Sequence, residues 1–181
     1  MSTPADSGGE SATVPASRSA LPWLWLAAVS IVLDQWSKWA IMQRFEEFET
    51  LKVLPVLDIS RWHNRGAAFS FLAGAGGWQR WLFTGFALVV SGVIAVWLRR
   101  LDNTTQKRLA CALTLIMGGA IGNVIDRVRF GHVVDFIVVH WNLHFFPAFN
   151  VADACITVGA GLLLLDAILD GRKGKAAGGA G

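Results

Sequence analysis

The stretch WQRWLFTGFALVVSGVIAVWL, residues 78–98, carries a single charged side chain, Arg80, near its start. Because a helix rises 1.5 Å per residue, about 20 such residues cross a hydrocarbon core of about 30 Å, and the stretch reads as a membrane-spanning helix. The rest of the chain agrees with it. Of the 181 residues, 54% are hydrophobic and 16% charged, and the mean hydropathy is +0.47, well outside the makeup of a soluble domain.

Working outward from that span, further apolar runs lie at about 21–42, 109–126 and 149–169. The expected fold class is an all-α membrane protein with four transmembrane helices. The first run lacks a small-residue cleavage site and carries Asp34 and Lys38, so it resembles a retained helix more than a signal peptide. Those two charges are four residues apart, on one helical face, where they are placed to pair. Residues 1–20 have no periodic apolar face and read as a disordered leader. Residues 171–181 read as a disordered tail, leaving one membrane domain over about 21–170.

Orientation follows from the short basic loops. Arg99, Arg100, Lys107 and Arg108 lie between the second and third spans, and Arg172, Lys173 and Lys175 follow the fourth. Both segments should be cytoplasmic, with both termini on that side. The connections at about 43–77 and 129–147 then face outward. In the first, Thr50 to Trp62 is dense in β-branched and apolar residues around Pro55, which fits a small β-cradle on the outer membrane surface. No internal repeat is visible, which counts against inverted-repeat transporters.

The formal net charge of +3 comes without a basic stripe or RNA-binding motif, so nucleic acid is not an expected partner. Cys111 and Cys155 fall in apolar runs without a nearby second thiol, favouring packing over a redox or metal role. His63, His132, His140 and His144 match no metal signature, and neither a metal nor a cofactor is expected.

Candidate chemistry centres on Asp135, in Val133-Val134-Asp135-Phe136-Ile137, and Asp153, in Phe149-Asn150-Val151-Ala152-Asp153. A carboxylate in such apolar company is costly and usually faces a polar cavity with a task. Two that meet cannot both ionise cheaply, so they share a proton: one takes a proton from attacking water while the other polarises a carbonyl. Asn150 and Asp153 share a face at the start of the fourth span, where the helix dipole favours an ionised Asp153. Gly118 and Gly122 have the small-xxx-small spacing of close helix packing. Asn123, Asp126 and Arg127 present an amide, a carboxylate and a guanidinium at the end of the third span, with Asp126 read as paired beside Arg127. Asn64 to Ser70 adds polar donors and small residues.

These pieces, taken in order, resemble the lipoprotein signal peptidase family, signal peptidase II. Asp34-Gln35-Trp36-Ser37-Lys38, Asn64 to Ser70, Gly118 to Arg127, Val133 to Ile137 and Phe149 to Asp153 are similar to its five ordered motifs. The resemblance implies a four-helix aspartic peptidase of the bacterial inner membrane, with its active site at the periplasmic face. Its implied reaction is removal of the signal peptide from prolipoproteins just before a lipid-modified cysteine. By motif position Asp135 and Asp153 correspond to the catalytic pair. Asn64, Asn123, Asp126, Arg127 and Asn150 correspond to residues that line and order the site, and Asp34 with Lys38 to a supporting pair. Implied partners are lipid-modified prolipoproteins, membrane lipids and globomycin-type inhibitors, with the chain a monomer. The competing class is a non-enzymatic proton-coupled transporter or lipid-binding assembly protein, with the aspartates as proton carriers.

Overall fold

The computed structural model describes residues 19–66 and 77–178, with side chains through residue 171. The leader through residue 18, the part of the second motif from Ala67 to Ser70, and the end of the tail lie outside the described residues. A 3₁₀ turn at Leu21–Trp23, opened by Pro22, leads into helix α1, Leu24–Arg44. Strands β1, Thr50–Leu54, and β2, Leu57–Asn64, form a hairpin around Pro55 and Val56. Helices α2, Gln79–Arg100, and α3, Lys107–Phe130, follow. Strands β3, Val133–Trp141, and β4, His144–Phe145, precede helix α4, Val151–Gly178.

Three of these helices are long and apolar enough to cross a membrane: Gln79–Arg100, Lys107–Phe130 and Val151–Gly171, with mean hydropathies of 2.1, 1.7 and 1.9. The 21-residue α1 is not among them, because Asp34, Gln35 and Lys38 interrupt its apolar run. The distribution of polarity is nevertheless inverted relative to a water-soluble bundle. Asp34, Lys38 and Asp126 are 0%, 1% and 0% exposed, while Phe86, Val89 and Leu164 are 67%, 66% and 67% exposed. Surface apolar patches on that scale need a non-aqueous neighbour, and the bilayer supplies one.

The central helix is α3, which packs against α1, α2 and α4. Small residues make that approach possible. A Cβ at Gly118 would sit 2.8 Å from Ser30 Cβ and one at Gly122 would sit 2.6 Å from Asp34 Oδ2, both on α1. Gly119 faces the other way, and a Cβ there would collide with the Ala152 carbonyl of α4. Gly119→Ala is therefore expected to lower stability by about 1–3 kcal/mol, the usual cost of overpacking, read as a lower melting temperature in detergent. Gly85→Ala, with nothing within 4 Å of its new methyl, serves as the near-neutral control. Equal melting of the two variants would contradict the packing account.

At the end of α3 the chain turns sharply at Gly131, whose φ of 79° forms a left-handed helix cap that glycine adopts without strain. The chain then runs directly into β3. The four strands form one antiparallel sheet in the order β1-β2-β3-β4. The small sheet anticipated from Thr50 to Trp62 is present as an antiparallel hairpin, but half of the strands come from residues 133–145, which sequence placed in an outward-facing connection. Its apolar run is explained by burial: Val133, Val134, Phe136 and Val138 are all buried, as in a strand covered on both faces. Asp135 therefore sits on an interior strand rather than in a membrane-bound segment. Phe149 closes back on β3 through Ile137 N to Phe149 O, 2.8 Å, and Phe149 N to Ile137 O, 3.0 Å. That return sets the start of α4 against β3.

Ser19 and Ala20, which composition assigned to the leader, are held at the opposite end of the bundle. Ala20 is fully buried and its N–H donates to Leu98 O at 3.0 Å. Trp23 Nε1 donates to Asn103 Oδ1 at 2.7 Å.

Candidate active site

Asp135 enters from β3 opposite Trp62 of β2 and is 2% exposed. Both of its oxygens accept amide N–H groups: Asn64 Nδ2 at Oδ2, 3.0 Å, and Asn150 Nδ2 at Oδ1, 2.7 Å. Asp153 lies in the first turn of α4. Its N–H donates to Asn150 Oδ1 at 2.9 Å, and Asn150 N donates to Asp153 Oδ2 at 3.3 Å. This reciprocal pair is a capping box, in which a residue at the helix start and one three further on satisfy each other's backbone donors. Asn150 thus bridges the two aspartates, one by its amide nitrogen and the other by its amide oxygen and backbone.

Asn123 of α3 extends the network. Its Nδ2 donates to Asp153 Oδ1 at 2.8 Å, and its Oδ1 accepts from Lys38 Nζ at 3.0 Å and Asn150 Nδ2 at 3.2 Å. Lys38 pairs with Asp34 Oδ2 at 2.8 Å, as the four-residue spacing anticipates, and with Asp126 Oδ2 at 2.9 Å. Each carboxylate of that cluster also ties down backbone elsewhere. Ala152 N donates to Asp34 Oδ1 at 2.9 Å and Val134 N to Asp126 Oδ2 at 3.1 Å. These bonds pin the strand and the helix that carry Asp135 and Asp153 to the same buried charge cluster.

Asp126 is not paired with Arg127, contrary to the sequence reading. Successive helical residues point about 100° apart and do not face each other, so Asp126 turns to Lys38 on α1. Arg127 instead lies with its guanidinium 5.4 Å from the Phe83 ring centre on α2 and donates to Asn123 O at 3.4 Å. Sequence also assigned no role to Gln35, whose Nε2 donates to Asp126 Oδ1 at 2.9 Å and Gly122 O at 3.2 Å. Its position next to Asp34 was the available signal.

Burial pushes the Asp135 carboxyl up to about 7; the Asn64 amide opposes this and the Asp153 charge adds to it. A buried carboxyl loses water that would solvate its ionised form, and that loss exceeds what two amide donors restore. The arrangement joins two carboxyls through one shared amide side chain, Asn150, with the start of a helix behind Asp153. This is the chemistry of acid–base hydrolysis.

Comparison with known proteins decides the family. The family model described as signal peptidase (SPase) II matches residues 26–169. The chain belongs to the signal peptidase II family. Among its relatives, the lipoprotein signal peptidase of Pseudomonas aeruginosa (strain UCBPP-PA14) is 50% identical over 161 residues, covering 87% of this chain and 94% of that one. That of Shewanella piezotolerans is 47% identical over 157 residues, covering 87% and 92%. A solved structure described as a bacterial membrane enzyme, determined by the in meso method, aligns with a TM-score of 0.74 at 28% identity, covering 87% of this chain and 94% of that one. All five motifs read from sequence fall inside the span matched by signal peptidase II.

Proposed function

We propose that this chain is a membrane aspartic endopeptidase that removes the signal peptide from diacylglyceryl-modified prolipoproteins, cutting just before the lipidated cysteine. The observation that carries the assignment of roles is the Asn150 bridge, which brings Asp135 and Asp153 into one hydrogen-bonded unit. Family membership disfavours the transporter and assembly-protein readings, whose carboxylates would be expected along a transmembrane path.

In the proposed cycle Asp135 holds the shared proton and Asp153 is ionised. Asp153 takes a proton from water as the water oxygen attacks the scissile carbonyl carbon, and Asp135 donates its proton to the carbonyl oxygen. As the C–N bond of the tetrahedral adduct breaks, the proton gathered on Asp153 passes to the leaving amine and Asp135 takes a proton back from one hydroxyl of the adduct, which leaves the new carboxylic acid and restores the starting pair. Asn64 and Asn150 hold Asp135, Asn123 holds Asp153, and Asp34, Lys38 and Asp126 fix the elements that carry them. Arg127 supplies a positive field over the pocket.

The accompanying architecture is four spans, with α1 as the fourth, a sheet on the periplasmic surface of the inner membrane and both termini in the cytoplasm. A diacylglyceryl substrate is anchored in the bilayer and arrives laterally at such a site. Trp62, Trp141 and Phe146, all exposed, suit its interfacial rim. Globomycin-type inhibitors would occupy the same cleft, and the chain would act as a monomer.

The test is a gel shift of a lipidated precursor incubated with the purified chain; an unshifted precursor under conditions that keep the protein folded would refute the proposal. The same assay checks the proton assignment. Since the neutral Asp135 is the proposed acid and titrates near 7, kcat/KM should fall as pH rises through that value, approaching about tenfold per unit above it. A flat profile between about pH 6 and 9 would contradict that assignment.

A further inference from the structure

A cavity of about 620 Å³ opens between the end of β2, the end of α3 and the start of α2, lined by Arg65, Arg80 and His132 with Trp78 and Trp81. None of these five residues makes a hydrogen bond to Asp135 or Asp153. Arg80 lies 4.5 Å from the Trp81 ring centre, and its Nη1 would be 3.1 Å from a Cβ on Gly131, so the guanidinium is folded against the pocket wall. Burial holds the His132 imidazole below its ordinary value, with the charges of His63 and Arg65 adding to the effect and those of Asp126 and Glu47 opposing it. Among the described residues neither Arg65 nor Arg80 forms an ion pair, in contrast to Arg108, which reaches Asp166 at 3.1 Å, and no carboxylate lines the cavity. Two unneutralised guanidinium groups in one aromatic-walled cavity fit an anion with several acceptor oxygens.

The cavity is continuous with an apolar face. Below Trp78, the exposed side chains Leu82, Phe86, Val89 and Val93 of α2 recur at spacings of three and four and form one stripe along a helix apolar enough to span a bilayer. Tryptophans at the head of such a stripe mark interfacial depth.

We infer that the Arg65–Arg80–His132 pocket is a headgroup site for an anionic phospholipid, its phosphate held by the two guanidinium groups and its acyl chains lying along the Leu82–Val93 face of α2. A soluble acidic peptide would satisfy the charges but leave the stripe uncovered. The inference goes beyond the peptidase reading and requires only that α2 crosses the membrane, so its test reads lipid binding and not cleavage.

The full chain in detergent micelles is titrated with phosphatidylglycerol or phosphatidylcholine of matched acyl chains, with retained lipid counted by native mass spectrometry. Phosphatidylglycerol, whose phosphate charge no choline offsets, should bind at least about fivefold more tightly, and Arg65→Gln with Arg80→Gln should weaken it about tenfold or more, remove its advantage over phosphatidylcholine and leave the melting temperature unchanged. If the double variant melts early, Arg65→Gln alone, at an exposed position, should still weaken phosphatidylglycerol. Equal retention of the two lipids overturns the inference, as does binding insensitive to these substitutions. Displacement by equimolar inorganic phosphate, marking a simple anion site, or by a soluble acidic peptide, marking a polypeptide site, overturns it as well.

Discussion

Asp135→Asn and Asp153→Asn should each reduce cleavage of a lipidated prolipoprotein by about 10³-fold or more, because each removes one half of an acid–base pair and such groups contribute 10²–10⁴-fold individually. The protein should stay folded. Asparagine at position 135 keeps an acceptor oxygen for Asn64 or Asn150, which both donate to Asp135, and the group it replaces is half protonated near neutral pH. Asparagine at position 153 also keeps one acceptor oxygen, so only one of the two bonds that Asp153 accepts, from Asn123 Nδ2 and Asn150 N, is lost, worth about 1 kcal/mol. Turnover by reconstituted variants, measured beside their melting temperatures, separates chemistry from folding. Near-normal turnover by either variant would sink the assignment of the pair.

The largest stability effect is expected at Lys38. Its ammonium, 1% exposed, is shared by Asp34 and Asp126 at 2.8 and 2.9 Å, and Asn123 accepts from it as well. Lys38→Met strands two buried carboxylates without a cation, and removing one partner of a buried ion pair costs about 3–5 kcal/mol. The damage should extend to the site, since those carboxylates hold the N–H groups of Ala152 and Val134, next to Asp153 and Asp135. Adding Asp34→Asn and Asp126→Asn should recover part of the lost stability, because the stranded charges are then gone. A Lys38→Met protein that melts like the parent would refute this account.

Much of this architecture was legible because local signals carry it. Residues 78–98 announce a span by length and composition alone, and α2 follows at Gln79–Arg100. The Asp34–Lys38 pair is set by helical periodicity. The Thr50–Trp62 hairpin was legible from β-branched residues around Pro55. Asn150 and Asp153 stand three apart at a helix start, so their mutual bonds are local too. The errors came where a local cue competed with a distant partner. Asp126 stands beside Arg127 in sequence, yet its cation is on another helix. The run from Val133 to Val139 has the apolar density of a membrane segment, but its length is that of a strand, and only pairing with β2 and closure by Phe149 make it one. His63 and His132, whose rings lie 4.0 Å apart, gave no cue at all.

The sequence by itself determined the membrane class, the apolar spans, the five motifs and the family they resemble, because hydropathy and short-range spacing are properties of the chain before it folds. Only the tertiary structure decided how the motifs meet. A charge cluster contributed by α1 and α3 anchors β3 and α4 through two backbone N–H groups, and Asn150 then joins Asp135 to Asp153. A buried carboxylate must find its donors and cations wherever packing leaves them, and in this chain packing brings them from segments far apart in sequence.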